Sequence, residues 1–172
     1  MGYEGFYGQH CENTVEALKA LALWDVANNG PAAPANQLDF PYIEFDVQET
    51  ADGQLVLFHD LTLSRAFPRI GPNLEPITAL ETTSGPPFQL TTVQDLTLAQ
   101  LQSLHLGGRE GLRVPTLRRF LEACAEAGVR RPLAIEVKVL RTDAARRLLL
   151  EDVRYGRVWM VYLARSLARV EM

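Results

Sequence analysis

The chain has 172 residues, 47% of them hydrophobic and 22% charged, with a formal net charge of −4. This composition suits a globular domain with apolar material for one core. Its mild acidity gives no electrostatic basis for nucleic-acid binding or for a basic membrane-facing surface.

The opening "MGYEGFYGQH" has no basic segment ahead of an apolar core, and Phe6 stands where N-myristoylation needs Ser or Thr. No apolar run is long enough to span a bilayer, so a cytoplasmic chain without an integral membrane segment is expected. Cys11 and Cys124 are too few and too distant for a disulfide framework or a zinc site. Free thiols in a reducing compartment are the plain reading, and a single bridge is the alternative.

In chain order, Asn13 is expected to N-cap a helix, with Glu16 completing a capping box. The following "VEALKALALWDVA" predicts a buried helix, and "NNGPAAPANQLDFP" a loop insertion. The stretch "YIEFDVQETADGQLVLFHD" predicts strands over 42–48 and 54–59 around the turn Ala51-Asp52-Gly53. Proline and glycine are dense from Leu61 to Leu90, which reads as a long irregular loop. "DLTLAQLQSL" predicts a short helix boxed by Thr97 and Gln100, and "VPTLRRFLEACAEAG" a second, capped by Thr116 and closed by Gly128. "PLAIEVKVL" predicts a buried strand over 132–139, and Thr142 or Asp143 caps the helix "DAARRLLLEDV". "RVWMVYL", 157–163, is a last strand candidate. Helices alternating with short apolar strands predict parallel βαβ units in a single α/β domain over 1–172.

The strands carry charges in an unusual place. Ile43, Phe45 and Val47 alternate with Glu44 and Asp46; Ile135, Val137 and Val139 alternate with Glu136 and Lys138; and "LVLFHD" ends on His59-Asp60. Parallel strands in α/β folds usually read as continuous apolar runs, and unpaired buried charge is costly. Taken singly, each feature has a plain explanation: an edge strand facing water, a surface His-Asp pair, an exposed Glu-Lys pair. Together they are read as a site at the C-terminal ends of the strands. Lys138 stands out because the chain has only one other lysine, Lys19, against fifteen arginines.

The pieces "ENTVEAL" at 12–18, "IEFDVQETADGQLVLFHDLTLSR" at 43–65, "DLTLAQLQSL" at 95–104, "VPTLRRFLE" at 114–122 and "AIEVK" at 134–138 resemble, in order, the glycerophosphodiester phosphodiesterase family. The resemblance implies a partial TIM-type (β/α) barrel, covering the first half to two-thirds of the fold. It also implies a divalent cation, Mg²⁺ or Ca²⁺, held by Glu44, Asp46 and Glu136. Residues two apart on a strand point the same way, and an all-oxygen donor set suits a hard cation. By the same resemblance His59 is the catalytic acid/base, and Lys138 lies beside the phosphate. The implied reaction cleaves a small-molecule glycerophosphodiester to glycerol 3-phosphate and an alcohol.

Three features depart from the family pattern. Its His-Arg-Gly tripeptide aligns with Tyr3-Glu4-Gly5, which removes a histidine and a phosphate-binding arginine and adds a negative charge. His10 is the weaker candidate to replace that histidine, since it abuts the helix cap as a loop residue, and His105 is expected in a solvated loop. The strand preceding the tripeptide is missing, and four strands are counted, 42–48, 54–59, 132–139 and 157–163, in a fold that typically takes about 250 residues. A fragment, a degenerate copy or one half of an oligomer is therefore expected. Two further readings stand beside turnover: a catalytically impaired relative that binds a cation or phosphate, and phospholipase D-like chemistry on a different substrate.

Overall fold

The computed structural model describes residues 11–29, 42–82 and 86–155. Tyr3-Glu4-Gly5, His10 and the strand candidate 157–163 lie outside them. Helix α1 (Val15–Asn29) is followed by strands β1 (Ile43–Glu49) and β2 (Leu55–Leu57). Helices α2 (Leu74–Thr82), α3 (Leu98–Leu101) and α4 (Leu117–Glu126) come next, then strand β3 (Leu133–Val139) and helix α5 (Asp143–Tyr155).

The described strands form one sheet in the order β2-β1-β3. β1 runs parallel to β3, as the alternation of helices and strands predicts, but antiparallel to β2. The reason is the short connection. Thr50 N–H donates to the Gln54 carbonyl at 2.9 Å and Gly53 takes φ 77°, so the chain reverses at once, and a turn this tight joins only antiparallel strands. The strand expected over 54–59 is shorter: beyond Leu57 one backbone bond to β1 remains, Phe58 N–H to the Asp46 carbonyl at 3.1 Å, and the Phe58 and Asp60 carbonyls turn to the Gln48 side chain instead.

β1 is the central strand, and it is buried on both faces. Ile43, Phe45 and Val47 pack with Leu18 and Leu21 of α1, Leu117, Phe120 and Leu121 of α4, and Ala145 and Leu149 of α5. The Phe45 and Phe120 rings lie 4.7 Å apart at 50°, the tilted arrangement that aromatic pairs favour. α1 buries one face only: Ala17, Leu18 and Leu21 are covered, whereas Leu23 is 74% exposed, so the helix expected to be buried is amphipathic in practice.

The segment expected to be an irregular loop from Leu61 to Leu90 is folded. It contains α2 and two 3₁₀ turns, Gly71–Asn73 and Phe88–Leu90. Leu63, Phe67, Ile77 and Phe88 build a second core with Val93, Leu101, Leu104 and Leu106. The prolines start turns here rather than preventing structure; Pro72 lies at the head of its 3₁₀ turn, where a missing N–H costs nothing. β2 joins the two cores, with Leu55 and Leu57 facing the first and Val56 and Phe58 the second.

Three expected helix starts hold. Thr97 accepts from the Gln100 N–H in a complete capping box, Thr116 accepts from Arg119 N–H, and Thr142 rather than Asp143 caps α5 by accepting from Ala145 N–H. Gly128 closes α4 with φ 65°. The expected cap at Asn13 is different. Thr14 Oγ1 accepts from Ala17 N–H, so Thr14 caps α1 and Asn13 is released for another purpose. No helix among the described residues is long and apolar enough to cross a membrane.

Candidate active site

Strand pairing assembles the acidic residues. In the parallel ladder Asp46 lies opposite Glu136 and Glu44 opposite Ala134. Glu44, Asp46 and Glu136 thus project from one face of two neighbouring strands. One carboxylate oxygen from each lies within 4.8 Å of the others. They do not sit at the strand ends as expected. Glu44 and Asp46 are the second and fourth residues of a seven-residue strand, because the hairpin pairing of Val47, Gln48 and Glu49 with β2 extends β1 beyond its acids.

The ladder slips once. Val47 pairs with Val137, but Gln48 pairs with Val139, which leaves Lys138 as the extra residue of a bulge. Bulges re-aim side chains and recur beside active sites. Here Lys138 Nζ lies 2.8 Å from Glu136 Oε1 and 3.1 Å from Asp46 Oδ1. Its ammonium is held above the usual lysine range, because burial, which opposes this, is outweighed by hydrogen bonding to Glu136 and Asp46.

Asp46 is fixed from its other side. Asn13 Nδ2 donates to Asp46 Oδ2, and Asn13 Oδ1 accepts from the Asp46 N–H, both at 2.9 Å. Asn13 reaches both groups from a left-handed backbone with φ 57°, the one such non-glycine conformation among the described residues, and a conformation Asn tolerates. Glu44 is in the opposite situation. Its Oε1 is buried without a hydrogen-bond partner, and burial, with the negative charges of Asp46 and Glu136, pushes its carboxyl up to about 7.

His59 leaves the end of β2 and is half exposed, with Nδ1 2.9 Å from Asp60 Oδ1. That bond holds the imidazole above its ordinary value against the opposing effect of desolvation, and the Asp46 charge adds to it. Asp60 is gripped by Arg65, whose Nε donates to Oδ2 at 2.5 Å and whose Nη2 donates to Oδ1 at 2.9 Å. The same guanidinium pairs with Glu12. Glu12, His59 and Asp60 also converge, but Arg65 already pairs with both acids there. The backbone around His59 is held by a fully buried amide: Gln48 Nε2 donates to the Phe58 carbonyl at 2.9 Å and to the Asp60 carbonyl at 2.8 Å. Gln94 Nε2 in turn donates to Gln48 Oε1 at 3.0 Å.

The sequence-predicted residues Glu44, Asp46, Glu136, Lys138 and His59 therefore share one region. The roles of Glu12, Asn13, Gln48, Asp60 and Arg65 were not predicted, although all five lie inside the quoted motif pieces. Their signal was position in a motif, and only the folded turns reveal the contacts. His105 differs from its expectation. It is buried, its Nδ1 accepts from the Gly111 N–H at 2.9 Å, and Asn73 bonds its backbone N–H and carbonyl at 2.7 and 2.8 Å. Packing of the second core encloses that loop and gives His105 a structural place. Cys11 and Cys124 are free thiols, and burial alone pushes Cys124 up to about 12.

The chemistry of the acidic cluster fits a hard divalent cation. Its donors are all carboxylate oxygens, and Glu44 Oε1 has no protein donor to satisfy it.

Comparison with known proteins gives a family match and a set of similar structures. The family model described as "Glycerophosphoryl diester phosphodiesterase family" matches residues 33–169. No curated protein matches the chain. A glycerophosphodiester phosphodiesterase from Agrobacterium tumefaciens is similar in structure, at TM-score 0.59 and 23% identity over 95% of this chain and 55% of its own. One from Thermotoga maritima is similar at TM-score 0.52 and 21% identity, over 93% of this chain and 49% of its own. An Oleispira antarctica phosphodiesterase, solved with the product sn-glycerol-3-phosphate, is similar at TM-score 0.55 and 20% identity, over 95% and 58%. The chain thus spans about half the length of these structures, and its α/β layers are part of a TIM-type barrel.

Proposed function

The chain belongs to the glycerophosphoryl diester phosphodiesterase family, and on that premise we propose that it hydrolyses glycerophosphodiesters to glycerol 3-phosphate and an alcohol. Glu44, Asp46 and Glu136 would hold Mg²⁺ or Ca²⁺. One observation carries this reading: three carboxylates from two parallel strands meet within 4.8 Å, and one of them has a buried oxygen that no protein group satisfies. Like charges gathered this closely are expensive unless a cation compensates them.

When bound, the cation supplies a Lewis-acid charge beside the phosphoryl oxygens. The protein's own residues supply the rest. Asn13 and the β1–β3 ladder hold the carboxylates in one geometry, so no reorganisation is needed as substrate binds. The Lys138 ammonium offsets the charge of the diester. A neighbouring glycerol hydroxyl attacks phosphorus and releases its proton to solvent as the bond to the alcohol oxygen breaks, and water then opens the cyclic ester, with solvent returning a proton to the freed glycerol oxygen, to give glycerol 3-phosphate. His59 Nδ1 is occupied by Asp60, so Nε2 is the atom that gives a proton to the leaving oxygen and later receives one from water.

A second reading, cation binding without turnover, is favoured by Tyr3 and Glu4 standing where the family carries histidine and arginine. One experiment separates the two. The full chain is incubated with glycerophosphocholine and Mg²⁺ or Ca²⁺, and glycerol 3-phosphate is measured beside an active relative. Turnover is expected, lost in EDTA and lost in His59→Ala. Product from the relative and none from this chain would leave the binding-only reading in its place.

A further inference from the structure

We propose that Lys138 is an internal counter-ion that a divalent cation must displace: its ammonium pins Asp46 and Glu136 together until the cation binds, and then turns to the phosphate of the diester. The inference rests on reading Glu44, Asp46 and Glu136 as the cation site.

Three observations carry it. First, Lys138 Nζ lies within 3.1 Å of oxygens on two of the three clustered acids, Asp46 Oδ1 and Glu136 Oε1, so it takes the place a chelated ion would take between them. Second, the bulge puts it there. A regular ladder would give Lys138 a partner opposite β1, whereas the slip between Val47 and Gln48 leaves it as the extra residue, free of the register that fixes its neighbours. Third, the charges are unequal. One ammonium stands against three carboxyl groups and pairs with two of them, Asp46 and Glu136. Glu44, whose Oε1 has no partner, is the member of the cluster that the lysine leaves unsatisfied.

A cation entering between these oxygens competes with the ammonium for Asp46 and Glu136 and repels it at short range. Lysine suits the exchange, being a compact charge on a flexible four-carbon stem. Displaced, it remains beside the site as a positive group for an anionic substrate.

The test titrates Ca²⁺ or Mg²⁺ alone into the full chain by calorimetry at pH 8.5 for wild type, Lys138→Met and Lys138→Arg. Thermal unfolding is recorded in EDTA and in excess cation. K138M is expected to bind the cation about tenfold more tightly than wild type, to melt lower in EDTA, and to gain more from the cation. K138R keeps the charge and is expected to stay within about threefold of wild type. A lysine with a purely structural role would lower both melting temperatures without tightening binding. Wild type that binds while K138M binds equally or more weakly overturns this inference and leaves the metal reading standing. Failure of both proteins to bind overturns both. K138M that folds only with cation is the expected result in its strongest form. Should it fold in neither condition, Lys138→Gln, which keeps a donor without charge, carries the same comparison.

Discussion

Asn13 grips Asp46 with both ends of one amide, Nδ2 to the carboxylate and Oδ1 to the backbone N–H, each at 2.9 Å. A residue that would ordinarily cap a helix is thereby spent on orienting a candidate metal ligand. Asn13→Gly keeps the left-handed backbone and removes only the grip. It is expected to cost about 2 kcal/mol in denaturant unfolding, because a bond to an ionised carboxylate and a buried N–H are both lost. Cation affinity is expected to fall about tenfold by calorimetry. Unchanged affinity would show that the parallel ladder alone holds Asp46.

Glu44 makes stability depend on pH in a defined direction. Its carboxyl is raised in the folded state from 4.5 to about 7, so the unfolded chain ionises first. Without divalent cations, stability is greatest below the unfolded value and declines as pH rises through the folded one. After allowance for partial solvent screening the loss is about 1–2 kcal/mol. Unfolding in EDTA between pH 5 and 8 is expected to show this slope in wild type and a flatter profile in Glu44→Gln. Equal slopes would place the burden on other groups.

His59 shifts stability in the same direction for the opposite reason, because Asp60 favours its charged form. Its raised value means that the pair adds stability fully present below the ordinary histidine pKa and lost as pH rises through the folded one. Asp60→Asn is expected to lower the His59 pKa, read from imidazole chemical shifts. Arg65→Met is expected to change the same titration by loosening Asp60. A His59 titration identical in wild type and D60N would mean that the 2.9 Å contact does not persist in solution.

Gln48 holds the two carbonyls that flank His59. Gln48→Leu conserves much of the volume but leaves the Phe58 and Asp60 carbonyls without their donor. A destabilisation of about 2–3 kcal/mol is expected from buried groups left unsatisfied. Faster amide exchange is expected over residues 58–65 in particular. A uniform change across the chain would mark Gln48 as ordinary core.

Local signals were legible where the physics is local. The threonine caps, the Ala51-Asp52-Gly53 turn and the closing Gly128 depend on a few adjacent residues. The alternation of β1 correctly placed Glu44 and Asp46 on one face. It could not say whether that face met water, because this depends on β3, some ninety residues further along. The prolines between Leu61 and Leu90 obscured a second core, since proline breaks periodic patterns without preventing Leu63, Phe67 and Ile77 from packing together. His105 was misread for the same reason: nothing adjacent to it announces that Asn73 will enclose it.

Resemblance of the ordered motif pieces was sufficient for the family and the type of fold, and strand alternation for the residues that carry charge on strand faces, because these depend on side-chain identity and spacing. Tertiary structure alone decided which of these charges meet. The parallel register set Glu136 opposite Asp46, the bulge turned Lys138 onto both, and a left-handed Asn13 gave up its helix to hold Asp46. Contacts between residues far apart in the chain follow from pairing register and packing, and neither is written in any short stretch of sequence.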